Sequence, residues 1–301
     1  MKEFSYLIRR ELWEHRALYI VPLVFAGLVL LSVTVGIVRG TQYLGAARIA
    51  TQMGSLTPDN AGAALIMMTY GMWFLFSIVS LFVVTFYMLD ALYGDRKDRS
   101  VLFWKSLPIS DTQTVLSKLV TAVVVMPAIV LVAALVTMFA VLIILSIAIA
   151  LGGVNPFPLL WAEIPLFTLL SNMISIELLH SLWFLPVTGW LLLSSSAAKR
   201  TPFLLAALVP LGLIFAEKLA FNTQWFANTV GEYARRFYEP LFGDVTEVSA
   251  GADGFQVEGL DIEFAQIGEL LADPVLYVGV VLGTVFIFAA IWMRRHRIDI
   301  S

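Results

Sequence analysis

Apolar positions in this chain come in long unbroken runs, with little of the period-two or period-3.6 alternation of a half-buried element. Six such runs stand out, at about 18–38, 65–89, 115–150, 172–196, 202–220 and 274–293. A bilayer core roughly 30 Å thick needs about 20 apolar residues as a helix. Lipid offers the backbone no hydrogen bonds, so each run is predicted to be a membrane-spanning helix. The third run is longer than one crossing requires. Ser110 followed by Gln113 reads as a capping box that opens a helix at Asp111. From there to Ala150 a helix rises about 60 Å, roughly twice the hydrocarbon core. Its first two turns should therefore stand outside the membrane, with a bend near Pro127, and Pro186 should bend the fourth span in the same way.

The segments between the runs have their own patterns. In residues 1–17, Phe4, Leu7, Ile8 and Leu12 share one helical face, while Arg9, Arg10 and Arg16 lie elsewhere on the wheel. Glu11 and His15 interrupt that apolar arc. The segment is read as an amphipathic helix along the membrane surface, with a simple basic anchor as the alternative. The first run lacks a small-residue cleavage site, so it is expected to be retained as a span. Between spans five and six, residues 221–273 are long enough for a small cap. Trp225 to Tyr238 suits a surface helix there, and Gly254 to Phe264 alternates like a short hairpin, interrupted by Gly259. The expected fold is an all-α polytopic membrane protein: one domain over 1–301, six transmembrane helices, an N-terminal interfacial helix and a small extracytoplasmic segment.

Composition agrees and removes other classes. The chain is 59% hydrophobic and 14% charged, too apolar for a soluble domain of 301 residues. It has no cysteine, which excludes disulfides, thiolate metal sites and cysteine nucleophiles. His15, His180 and His296 are too scattered to suggest a metal site, and a net charge of −3 carries no nucleic-acid signature. Charge placement gives the orientation. Fourteen of the 19 basic residues fall in 1–17, 90–118, the turn at Lys199 and Arg200, and the tail after 293. The 151–171 connection has none, and 221–273 carries ten acidic residues against two basic ones. Both termini and the 90–114 loop are thus expected in the cytosol, and 221–273 outside. A bacterial cytoplasmic (inner) membrane is the expected location.

Candidate chemistry is sparse. No GxxxxGK[ST], HExxH or GxSxG motif is present, and no catalytic residue, metal ligand or cofactor is expected in this chain. Val101, Leu102, Phe103 and Trp104 form an apolar patch in a cytosolic loop, between the run Asp95 to Arg99 and Lys105. Such a patch is either a helix that docks in a groove of a partner or a contact with lipid headgroups. Glu177 and His180, three residues apart, share a helix face. Counting along the helix from Lys199 puts them about 30 Å away, near the outer interface, where ionisation is affordable and no function is required. Lining a substrate or proton pathway is the alternative. Glu217 and Lys218 read as outer-edge anchors.

The stretch DRKDRSVLFWKSLPISDTQTVLSK resembles the first cytoplasmic loop of ABC type-2 transporter permeases. There a charged run, a short apolar helix and an SLP-Ser turn precede the third span. SSSAAKRTPF, Ser194 to Phe203, resembles the second cytoplasmic connection of that family. The resemblance implies a homodimer of permeases bound to two cytosolic ATPase subunits, which would hold ATP and Mg, and export rather than import. The coupling helix of the family maps onto Arg99 to Ser106. Val101, Leu102, Phe103 and Trp104 would make the contact, flanked by Asp95, Asp98, Arg99 and Lys105. Many family members carry a glutamate in the charged run, where this chain has Asp95 and Asp98. Two other functions fit the composition: a lipid-modifying membrane enzyme, and an assembly or sensor protein that docks a cytosolic partner without transport.

Single cysteines placed at Ser5, Ser249 and Ser301 of this cysteine-free chain test the orientation. An impermeant thiol reagent added to intact cells should label position 249 only. Labelling at 5 or 301 would contradict two cytosolic termini.

Overall fold

A computed structural model of the chain describes residues 2–44, 58–98, 109–162, 166–242, 248–251, 254–257 and 267–296. Arg99, Val101, Leu102, Phe103, Trp104 and Lys105 lie outside the described residues, as does the 258–264 part of the expected hairpin. The described chain is helical apart from one small hairpin. An amphipathic helix α1 (Lys2–Glu14) turns at residues 15–16 into α2 (Ala17–Leu44). Next come α3 (Pro58–Ala91), the short α4 (Tyr93–Lys97), and α5 (Asp111–Val120), which runs through a π-helical turn (Thr121–Val125) into α6 (Met126–Leu151). After α7 (Pro156–Leu160) the chain forms α8 (Leu166–Trp183), α9 (Leu185–Ala197), α10 (Pro202–Phe221) and α11 (Trp225–Phe242). Strands β1 (Val248–Gly251) and β2 (Gly254–Val257) precede α12 (Ile267–Ala272) and α13 (Pro274–His296).

Among the described residues, six helical stretches are long and apolar enough to cross a membrane: Ala17–Gly40, Met67–Lys97, Asp111–Leu151, Leu166–Trp183, Pro202–Phe221 and Pro274–His296. The protein is an all-α polytopic membrane protein. The hairpin pairs Val248 with Val257 and Gly251 with Gly254, so it starts before the stretch that alternation picked out.

Both prolines disturb their helices, each differently. Pro127 has no N–H for the carbonyl four residues back. The ladder re-registers just upstream, where Met126 donates to the Thr121 carbonyl five residues behind it, and the helix carries on through a widened turn. At Pro186 the fourth span breaks outright. Phe184 leaves helical geometry (φ −85°, ψ 9°), and α9 begins afresh with Pro186 in its first turn. The expected single helix over 172–196 is therefore two helices, with the break in its middle.

Two apolar clusters hold the bundle. One surrounds Phe76, Met88, Leu92, Met126 and Val130, towards the end where α1 lies. The other joins Trp73, Trp183, Phe237, Leu241, Leu270 and Leu276, towards the end covered by α11. By contrast, α10 buries none of its described side chains and presents Leu208, Phe215 and Leu219 outward. An apolar helix with no buried face is stable where lipid or another apolar chain surrounds it.

The tightest helix contact is made through glycine. A Cβ on Gly283 would lie 2.8 Å from the Leu185 carbonyl carbon, and one on Gly189 would lie 2.8 Å from the Gly283 carbonyl oxygen. So α9 and α13 meet backbone to backbone, the usual route to close association in lipid, where burial from water gives helices no driving force. Gly212 in α10 has open space instead. Gly283→Ala should therefore destabilise by roughly 1–3 kcal/mol, and Gly212→Ala should change little. Melting of the purified protein, followed by size-exclusion, would show the difference. Equal effects at the two glycines would contradict this packing.

Candidate functional site

The chemistry-bearing groups gather at the two ends of the bundle. At the charged end, Glu11, which seemed out of place on an apolar arc, is fully buried. Its Oε1 receives Arg10 Nη2 at 2.6 Å and Lys118 Nζ at 3.1 Å. The Tyr87 hydroxyl donates to its Oε2 at 3.1 Å. Lys118, 1% exposed, also lies 3.6 Å from Asp95 Oδ1. Arg294 Nη1 donates to Asp95 Oδ2 at 3.0 Å, and Arg294 Nε to Asp111 Oδ1 at 3.2 Å. Carboxylates and cations thus alternate from Arg10 to Asp111, and their charges cancel. Four separate parts of the chain meet here: α1, the end of the second span, the start of the third, and the end of the sixth.

This network holds the two ends from which the loop between α4 and α5 springs. Asp95 stands on its leading side and Asp111 on its trailing side, and the Arg294 guanidinium holds both. Asp111 is presented by the capping box: Ser110 Oγ accepts from Gln113 N and Gln113 Oε1 from Ser110 N, both at 3.1 Å. A second fastening joins the leading side to the fourth span. Ser195 Oγ accepts from Leu92 N and Tyr93 N at 3.0 Å and donates to the Leu89 carbonyl at 2.7 Å. Arg96 Nη2 donates to the Ser195 and Ala198 carbonyls at 2.6 and 3.0 Å, capping the carbonyl end of α9. Asp95 and Arg96 belong to the charged run that was read as flanking the apolar patch. The structure turns both inward, because the helix end carrying them packs against α9 and α13. Asp98 and Lys97 remain exposed.

Glu11, Glu14 and His15 form a carboxylate–imidazole cluster of metal-ligating type. Glu11 already faces two cations, so the cluster is an electrostatic joint.

At the other end, α11 lies across α3 and α8. Glu217 sets its start, accepting from Thr223 Oγ1 and from the backbone N–H groups of Trp225 and Phe226. Asn222, at φ 52°, closes α10 in the left-handed conformation that asparagine tolerates. The broken fourth span supplies the attachment. The N–H that would have met the Trp183 carbonyl belongs to Val187, which bonds to Phe184 instead. Tyr233 of α11 fills the vacancy: its hydroxyl donates to Trp183 O at 2.5 Å, while Trp183 Nε1 donates to Tyr233 O at 3.0 Å. Burial pushes the Tyr233 phenol up to about 12, so this donor persists well into alkali. Gly279 makes room, since a Cβ there would collide with the Tyr233 hydroxyl.

Beneath α11 lie Glu177 and His180, and here the sequence expectation needs correcting. Distance along a helix says nothing of the direction in which Glu177 points. The carboxyl is 5% exposed and turned into the bundle, where Trp73 Nε1 donates to Oε2 at 2.5 Å. His180 is ringed by Trp73, Phe184, Phe237 and Tyr238, with centroids 4.7–6.4 Å away. Tyr238 Oη is 3.4 Å from His180 Nε2. The pair thus occupies an aromatic enclosure inside the bundle.

Sequence reading missed Glu11, Lys118, Arg294 and Asp111 as one unit, and Trp73 and Tyr233 as partners of the fourth span. The signal for Glu11 was its intrusion on the apolar arc. For Lys118 and Arg294 there was none beyond their count as positive charges.

Removing one member of a buried ion pair costs about 3–5 kcal/mol, because it strands the other charge. Lys118→Met and Glu11→Leu should each lower the melting temperature sharply, and the double substitution should lower it by much less than their sum. Additive losses would show that the two groups are not coupled.

The chain matches no protein-family model, no curated protein and no solved structure, so its own residues carry the functional reading.

Proposed function

We propose that this chain is the membrane-spanning permease subunit of an ATP-driven transporter of the ABC type-2 kind, working as an exporter in a bacterial cytoplasmic membrane. Two copies would form the pathway. Two cytosolic ATPase subunits, holding ATP and Mg, would dock on the loop between α4 and α5. The observation that carries this reading is the bracing of that loop. Arg294 holds Asp95 before it and Asp111 after it, and Lys118 ties both to α1 through Glu11. A loop with free feet would dissipate a push from a partner in its own bending. A loop with both feet in one buried network passes the push to α1, α5 and α13 together.

In this arrangement Phe103 and Trp104 supply the contact area, and the surrounding charges orient the partner. Truncating such an anchor costs roughly 2 kcal/mol or more, about thirtyfold in affinity. Phe103→Ala with Trp104→Ala should leave the chain folded and inserted, and should abolish capture of the ATPase that co-purifies with the unaltered chain. Undiminished capture by the double variant, or no ATPase with the unaltered chain, would contradict the proposal.

A further inference from the structure

The two ends of the bundle treat buried acids differently. At the charged end every buried carboxylate has its cation: Glu11 has Arg10 and Lys118, and Asp95 has Lys118 and Arg294. Glu177 is as deeply buried, yet among the described residues the one hydrogen-bond partner of its carboxylate is the indole N–H of Trp73. No lysine, arginine or histidine among them comes within ion-pair distance of it. One neutral donor leaves most acceptor positions of a carboxylate unmet. A bare carboxylate without a counter-charge in such surroundings costs several kcal/mol. A cation from outside the chain would supply the counter-charge that the described residues do not.

The walls indicate which kind of cation. Trp73, Phe184, Phe237 and Tyr238 stand around His180, one helical turn from Glu177. Aromatic faces attract large, weakly hydrated cations and do nothing comparable for small hydrated ones, which need oxygen ligands. The enclosure has a closed side and an open one. Trp73, Trp183 and Phe237 are 0–1% exposed, whereas His180, Phe184 and Tyr238 are only partly buried. His180 stands at the partly exposed side, its described side-chain polar contact there being the long one to Tyr238. Among the described residues, the other titratable groups of this cluster are Tyr70 on α3 and Tyr233 and Tyr238 on α11. The helices α12 and α13 bring Leu270 and Leu276 to it.

We infer that Glu177 is the anionic determinant of a binding site for lipophilic organic cations, walled by Trp73, Phe184, Phe237 and Tyr238. Entry of the cation displaces the carboxyl proton to water, and no other bond is made or broken. The inference names a substrate class for the transporter proposed above, but binding is measured on the permease alone. Failure of ATPase capture and failure of this site are thus separate results.

The probe is tetraphenylphosphonium, a permanent cation, set against tetraphenylborate, an anion of the same shape. The full chain in zwitterionic nanodiscs, with empty discs subtracted, should bind the cation saturably and the anion not at all. Glu177→Gln keeps an acceptor for Trp73 but carries no charge, and should weaken binding about tenfold or more. Glu177→Asp should keep more affinity than Glu177→Gln, and His180→Ala should bind at least as well as the unaltered chain. In weakly buffered solution, cation binding should release protons, and Glu177→Gln should release none. Equal affinity in Glu177→Gln, equal binding of the anion, or no saturable binding would overturn the inference. If the variants do not insert, the unaltered chain decides: affinity for the cation should fall as pH falls, and a pH-independent affinity overturns the proposal.

Discussion

The ammonium of Lys118 is 1% exposed, and a charge so far from water has to be neutralised where it stands. Glu11 reaches it only if α1 lies back over the bundle. Asp95 reaches it only if the second span runs on past the apolar core into α4, and Arg294 then has to neutralise the second oxygen of Asp95 from the end of α13. Burying these ions adds little net stability relative to apolar side chains of the same size. What it adds is register. Apolar helices in lipid slide and rotate against one another at small cost, whereas this alternation of charges closes in one arrangement.

The fourth span links the charged end to the aromatic one. Its lower half, α9, receives the N–H groups of Leu92 and Tyr93 on Ser195, and so shares in holding the loop. Its upper half, α8, carries Glu177 and His180 under α11. Between them the break at Phe184 is not left open: Tyr233 takes the freed carbonyl, and Gly189 and Gly283 bring α13 against the start of α9. A change at Glu177 and a change at Leu92 and Tyr93 therefore act on the same broken helix from opposite ends.

Much of this architecture follows from the chain read as a pattern. Six runs, the capping box at Ser110, the surface helix after Trp225 and the disturbances at Pro127 and Pro186 depend on local composition, and local composition is what a sequence displays. The joints are another matter. Glu11 and Lys118 are 107 residues apart and Asp95 and Arg294 are 199 apart, so nothing in either neighbourhood names the other partner. The aromatic site escaped the sequence for a related reason. Counting residues from Lys199 cannot give direction, which depends on which helix covers which face, and α11 and Trp73 come from distant parts of the chain.

That one buried charge network makes α1, the feet of the loop and α13 a single body is the central claim, and an inter-helix distance tests it most directly. Trp13 on α1 and Trp292 on α13 are both well exposed, and the chain has no cysteine, so both positions can be replaced by cysteine and spin-labelled without a competing thiol. Pulsed electron–electron resonance should give one narrow distance distribution in the otherwise unaltered protein, and a broad one once Asp95→Asn removes the charge that links Lys118 to Arg294. A distribution that stays narrow and unshifted in Asp95→Asn would show that packing alone holds the charged end together, and would contradict the account.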